Sequence, residues 1–500
     1  MSIAVQVASS WADSSNPLVE QLVRTRFASR LFAKDATLWG TAAEQEASTR
    51  LGWVDPFARA TDLIARANSI RGTLRGNGID RIVLCGMGGS SLGPQVVARE
   101  AGVDLTVLDS THPAEVARAL AGDLGRTAVV VSSKSGTTLE TNLHAAMFID
   151  AFSGAGIDPA ERVLFVTDPG SQLARKAEEG FQVVLADPSV GGRFSVLTAF
   201  GILPAVLAGA DFDRLIAEAE TAASTLAIDS TENPALRLAA VLAAAHPTRF
   251  ALLLQESASE RWGLGDWIEQ LIAESTGKQG KGILPIALER DDCRLGRPLD
   301  SALLAAVGDK PGDPRADITV LAPLGAQFLL WEVATAALGH LLRINPFDQP
   351  NVEAAKAAAR ECLQAGSDAP GSAEVPDADP DELIPLLTEA LSSDGYVAIQ
   401  AFVDRESDSA LAAKRLLERL STELDVPVSI GWGPRYLHSI GQFHKGGPRV
   451  GVFVQLVDDA SPALTAPGHD VSLASVLRAQ ADGDHRVLEA QGRPVLLRSC

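Results

Sequence analysis

The sequence predicts an α/β protein: two doubly wound parallel-sheet domains followed by a C-terminal α/β module. Three observations lead there. Short apolar runs alternate with helix-like segments from Arg81 to Leu185. A second set of such runs begins at Phe250. An acidic stretch rich in Pro, Gly, Ser and Asp, Ala365 to Leu383, then sets off the last part of the chain. Buried parallel strands read as continuous apolar runs, and the helices between them provide the crossovers. The expected boundaries are 1–225 for the N-terminal helices and first domain and 226–364 for the second. The linker is 365–383 and the C-terminal module 384–500.

The first eighty residues read as helical. Ser15-Asn16-Pro17 has the form of a helix cap, with Val19, Leu22, Val23 and Phe27 on one face. Asp55-Pro56 starts a second helix that runs through Ile64 to about Leu74. Strands are expected at Arg81–Cys85, Leu105–Leu108, Ala128–Val131, Val163–Val166 and Gln182–Leu185. In the second domain they fall at Phe250–Leu254, Ile283–Ile286 and Ile318–Leu321, before a helix from about Gln327 to Leu342. The linker is the clearest break in the chain. Beyond it, Tyr396–Val403 reads as a strand and Ala410–Leu424 as a helix. Val428–Ile430 and Val450–Leu456 are strand-like, in a module of roughly 120 residues, enough for its own core.

Composition removes whole classes of function. The chain has 500 residues, 46% of them hydrophobic and 21% charged, which is globular rather than disordered. Its formal charge of −20 opposes a broad nucleic-acid or anionic-membrane face, but not a small anion site built from amides and a few cations. Cys85, Cys293, Cys362 and Cys500 form no CxxC pair and are expected as reduced thiols of a cytoplasmic protein. The N-terminus has no secretory pattern. The apolar run Val196–Ala210 is too short for a membrane span and is broken by Gly and Pro.

Two segments carry the chemistry. Gly86-Met87-Gly88-Gly89-Ser90-Ser91-Leu92-Gly93-Pro94 follows a strand and opens a helix. Clustered glycines permit a sharp turn and close approach, and a helix N-terminus suits an anion. The spacing is not the dinucleotide GxGxxG, and its two serines favour a single phosphate held by hydroxyls. Val131 to Asn142 also follows a strand, and six of its twelve residues are Ser or Thr. Both loops lie where open α/β sheets bind ligands, at the carboxyl ends of parallel strands. Either one alone is also an ordinary turn or helix cap.

Taken with three later segments, these motifs resemble the glucose-6-phosphate isomerase family of the sugar-isomerase fold. The later segments are Gly191-Gly192-Arg193-Phe194-Ser195, Gln270 to Lys278 and Asn345 to Lys356. They stand in the family's order and cover about the first three-quarters of the chain. The region Gly431 to Gly447 resembles the C-terminal part of fused transaldolase–phosphoglucose isomerase proteins.

The resemblance implies two sugar-isomerase-type domains with a site between them, a homodimer, a sugar-phosphate substrate, and no cofactor or metal. It implies reversible isomerisation of glucose 6-phosphate and fructose 6-phosphate through an enediol(ate), in glycolysis and gluconeogenesis. A bifunctional phosphoglucose/phosphomannose isomerase and a non-catalytic sugar-phosphate sensor are the alternatives. Glu274 matches the base, with Gln270 one turn earlier, and Arg193 matches the group facing the enediolate. Lys356 matches a ring-opening lysine, and Gln349 a phosphate or sugar contact. Gly89, Ser90, Ser133, Ser135 and Thr138 supply the phosphate cradle, with Lys134 as an adjacent charge. Many members carry a histidine that pairs with the glutamate matching Glu140, yet no histidine lies between Ile283 and Leu338. His438 or His444, in the polar Gly-rich part of the last module, is the expected replacement. His340, in an apolar helix, is expected to be a packed core residue.

Overall fold

The computed structural model describes residues 3–258, 262–365 and 378–499. Its strands are β1 (Ala4–Val7), β2 (Arg81–Gly86), β3 (Thr106–Leu108), β4 (Thr127–Ser132), β5 (Val163–Thr167) and β6 (Gln182–Leu185). They continue with β7 (Ala251–Glu256), β8 (Leu284–Ala287), β9 (Ala302–Gly308) and β10 (Ile318–Leu321). The last four are β11 (Tyr396–Phe402), β12 (Val428–Trp432), β13 (Gly451–Val457) and β14 (Val495–Ser499).

These strands form three sheets, ordered β3-β2-β4-β5-β6, β1-β10-β9-β7-β8 and β12-β11-β13-β14. All pairings are parallel except that of β1 with β10. Each sheet is wound outward from its first parallel strand, with the second strand on one side and the third on the other. The crevice at such a reversal is where open α/β sheets bind ligands. In the first sheet it lies between the loops that leave β2 and β4, the two loops singled out in the sequence. The α/β class with doubly wound sheets is therefore the observed architecture.

Some elements differ from expectation. The N-terminal segment contributes β1 to the edge of the second sheet, antiparallel to β10, and just after it the Trp11 indole donates to Asp317 Oδ1 at 3.0 Å, 306 positions away. The first helix begins at Ala12, so Pro17 lies inside it rather than at its start. The strand β9 was not anticipated, nor were the helix Leu473–Ala490 and β14. The stretch read as a linker ends in a helix that begins at Pro380, capped by Asp379 accepting from the Asp381 amide. Residues 366–377 of it, and Cys500, lie outside the described residues. Cys85, Cys293 and Cys362 are free thiols.

The third module does not hang from a tether. Tyr396, Phe402, Tyr436, Phe443 and Phe453 share one apolar cluster with Phe250, Leu253, Leu284 and Ile286 of the second domain. Buried ion pairs fix it to the first domain. Asp109, at the end of β3 and fully buried, is paired with Arg405 at 2.9 Å and Arg435 at 3.2 Å. Burial alone would raise the Asp109 carboxyl, but the two guanidinium groups outweigh it and hold the group below its ordinary value. Arg405 also meets Glu115 at 2.5 Å, and Arg118 grips Asp404 with two bonds of 2.7 and 2.6 Å.

Candidate active site

The site grows from Gly88 and Gly89. Gly88 has φ +55°, and a Cβ there would lie 2.6 Å from the His438 carbonyl oxygen and 2.7 Å from Gln270 Nε2. A Cβ on Gly89 would lie 2.0 Å from the Gly192 carbonyl oxygen. The glycines therefore let three other elements reach the β2 loop: the turn Gly192–Phe194, the helix Leu264–Thr276 and the turn Arg435–His438. Close approach by protein, as well as by ligand, explains the run. Ser90 is buried in the same turn, its amide bonded to the Met87 carbonyl.

Arg193 is buried, and each of its nitrogens has a partner. Nε donates to Ser275 Oγ at 2.8 Å, Nη1 to Gln349 Oε1 at 3.0 Å, and Nη2 to the carbonyls of Pro346 (2.6 Å) and Asp348 (3.1 Å). Below it Phe194 stacks on Trp53, with ring centroids 4.9 Å apart. This fixed guanidinium meets Glu274 Oε1 at 3.3 Å. The other carboxylate oxygen of Glu274 accepts from Gln270 Nε2 at 3.1 Å. Gln270 Nε2 also donates to the His438 carbonyl at 2.9 Å, while Gln270 Oε1 is buried with no partner among the described residues. Gln349 was expected to touch substrate, but its carbonyl is committed to Arg193.

The β4 loop is a web of hydroxyls. Ser133 Oγ donates to Thr138 Oγ1 at 3.0 Å and accepts from the Gly136 amide at 3.2 Å. Ser135 Oγ lies 2.9 Å from Thr137 Oγ1 and accepts the Thr137 amide. Ser135 and Thr137 are exposed, and the loop runs into the N-terminus of the helix Leu139–Gly154, where amides and the helix dipole favour an anion. Thr137 belongs with the expected Ser133, Ser135 and Thr138; nothing in its residue type set it apart from its neighbours. Lys134 is a correction. Its ammonium is paired with Asp168 at 2.5 Å and so offers no free charge to the loop.

His438 is the residue that joins the third module to this chemistry. Its Nε2 lies 2.9 Å from Glu140 Oε1, on the first turn of the helix Leu139–Gly154. Burial would raise the Glu140 carboxyl. The charge and hydrogen bond of His438, with smaller help from the backbone and His144, outweigh burial and hold the group at about 2.

His444, the other candidate, does not reach the site. It is buried in the third module's core, with Nδ1 3.0 Å from the Tyr396 hydroxyl and Phe453 edge-on at 5.2 Å. Burial, then the charges of Lys445 and Arg493, push its imidazole well below the ordinary range, so it stays neutral packing. His340 sits in the helix Leu324–Leu342, its Nδ1 2.6 Å from the Leu38 carbonyl.

Lys356 is a second correction. It lies on the helix Pro350–Ala365, 44% exposed, and its ammonium pairs with Glu353 at 2.9 Å rather than with Glu274, Arg193 or His438. That helix packs along the helix Leu473–Ala490 of the third module. A different lysine stands beside the central pair. Lys278 is buried, and Nζ donates to the Asn345 carbonyl at 2.5 Å and to Asp348 Oδ1 at 2.6 Å. Burial first, then the Arg193 charge, pull it down to about 7. It pins the loop that holds Arg193. Its place at the end of the Gln270–Lys278 segment was the available signal.

A family model described as phosphoglucose isomerase matches residues 58–280. Glucose-6-phosphate isomerase of Thermus thermophilus is 29% identical over 390 residues, covering 64% of this chain and 92% of that protein. A Haloarcula marismortui relative named for the same isomerase is 34% identical over 212 residues, 41% of this chain, and the match spans about half (49%) of its length. A solved structure of a hypothetical protein from Thermus thermophilus superposes with a TM-score of 0.60 at 26% identity, over 72% of this chain and 100% of that one. Among the described residues no helix is long and apolar enough to cross a membrane.

Proposed function

The chain belongs to the phosphoglucose isomerase family, and from that premise we propose that it interconverts glucose 6-phosphate and fructose 6-phosphate. The observation that carries the reading is the carboxylate of Glu274, held between Arg193 and Gln270, with Gln270 joined through His438 to Glu140 just after the hydroxyl loop of β4. Glu274 takes the proton from C2 and returns it to C1. The charge of the enediolate formed between these steps faces Arg193, and the hydroxyl proton passes from O2 to O1. A guanidinium already fixed by four neighbours needs no reorganisation as that charge develops. Gln270 Oε1, buried and unpartnered, accepts a sugar hydroxyl. The exposed hydroxyls of Ser135 and Thr137, with the amides behind them, hold the phosphate.

Opening the hemiacetal moves one proton from O1 to the ring oxygen as the C1–O5 bond breaks. His438, backed by Glu140, takes and returns that proton. A homodimer in the cytoplasm is part of the same proposal, and sedimentation of the purified protein tests the dimer. The isomerase itself is tested by a coupled assay of glucose 6-phosphate formed from fructose 6-phosphate. Clean protein that binds the sugar phosphate without turning it over refutes the reading.

A further inference from the structure

We infer that Gln480, on the helix Leu473–Ala490 of the third module, is a positioning residue: it orders Glu140 and so fixes which nitrogen of His438 is bare toward the sugar. The inference rests on the isomerase reading above. Four side chains, two from the first domain and two from the third module, form one directed array. Thr111 Oγ1 donates to Gln480 Oε1 at 2.8 Å, and Gln480 Nε2 donates to Glu140 Oε1 at 2.7 Å. The same carboxylate oxygen receives His438 Nε2 at 2.9 Å.

The polarity follows from chemistry. An ionised carboxylate only accepts, so the amide must turn its nitrogen to Glu140 and the imidazole must carry its hydrogen on Nε2. Nδ1 then keeps its lone pair for the sugar proton. Thr111 is fully buried and Gln480 is 7% exposed, so the array is largely shielded from solvent. The third module thus supplies both the histidine and the group that orders the histidine's partner.

The charged neighbours are accounted for. On Glu140's own helix, His144 binds the Ser110 carbonyl at 2.9 Å and is kept neutral by burial, at about 4. Behind it, Asp109 is matched by Arg405 and by Arg435, which belongs to the His438 turn and also meets Asp266. From the second domain, Glu274 and Arg193 form their own pair, and Glu269, raised to about 8 chiefly by burial, accepts from Ser439 Oγ beside His438 at 3.0 Å. On the Gln480 helix, Asp484 is paired with Lys445. Gln480 is thus the neutral donor that shares the Glu140 oxygen with His438.

The test compares wild type with Gln480→Met, which keeps the shape and removes the donor, and with Thr111→Val. Nitrogen-15 shifts of histidine-labelled protein report the His438 tautomer. Wild type is expected to show the Nε2–H form, Gln480→Met a mixture of the two tautomers, and Thr111→Val a smaller change. We expect kcat on glucose 6-phosphate to fall about 10-fold with KM little changed, because less of the enzyme presents a bare Nδ1. A mere packing defect lowers stability and leaves the tautomer signals where they were, which overturns the inference. If wild type turns over neither hexose phosphate, the isomerase reading falls, and the histidine shifts alone still decide the array.

Discussion

His438 and Glu140 are separated by 298 positions in the chain, yet their side chains meet at 2.9 Å. One comes from the third module and the other from the first helical turn after the hydroxyl loop. If the pair acts on the sugar, ring opening is where its loss should be felt. His438→Ala is expected to slow turnover of cyclic glucose 6-phosphate by about 10²-fold or more. Proton exchange at C2 of an open-chain tetrose phosphate, which cannot close a ring through its phosphorylated oxygen, should be spared. Equal loss on both substrates would remove His438 from ring opening.

Glu274 is asked to carry the carbon proton. Glu274→Gln keeps the shape beside Arg193 and removes the base. It should cost about 10²- to 10⁴-fold in kcat. Deuterium washout at C2 should stop, while a sugar-phosphate inhibitor still binds. Washout at the wild-type rate would refute the assignment.

Gly88 accepts no side chain for two reasons, its φ of +55° and the His438 carbonyl 2.6 Å from any Cβ. Gly88→Ala is expected to cost about 1–2 kcal/mol from conformation alone. It should also push His438 and Gln270 away from the site. Thermal denaturation and kcat should fall together. A variant that is destabilised but fully active would show that the contact does not align the site.

Glu140 links the site to acid stability. Its folded value of about 2 lies below the ordinary 4.5, so its stabilisation is present above about 4.5 and is lost as pH falls through about 2. Glu140→Gln removes that contribution. The difference in urea midpoint between wild type and variant should shrink as pH falls through that window. A difference that is constant with pH would contradict the lowered Glu140 carboxyl.

Arg405 anchors the module that delivers His438. Arg405→Ala leaves Asp109 with one fewer partner and Glu115 without its 2.5 Å contact. Breaking a buried pair from one side costs roughly 3–5 kcal/mol. Limited proteolysis should then release the third module, and turnover of the cyclic sugar should fall with it. Protection like that of wild type would mean that the shared apolar cluster alone holds the module.

Much of the fold was legible because a parallel strand buried on both faces must be apolar throughout. β2, β4 and β5 announce themselves in this way. β1 did not, because a four-residue edge strand carries no pattern until its partner Ile318–Leu321 is known. Glu274, Arg193 and Gln270 were legible because the segments that hold them resemble those of the isomerase family. Lys134 and Lys356 were misplaced for one reason: a lysine beside a motif can turn to Asp168 or Glu353, and local sequence does not say which way a long side chain turns.

The sequence by itself determined the parallel-strand α/β pattern and the glycine and hydroxyl loops, which follow from periodicity and residue type over short spans; Glu274 and Arg193 were singled out by the family resemblance of their segments. Only the tertiary structure decided between His438 and His444. Both are histidines in one Gly-rich segment, six residues apart. One faces Glu140 across a module interface and the other is sealed against Tyr396 and Phe453. That choice is made by packing and buried charge pairing between residues hundreds of positions apart, which no local pattern encodes.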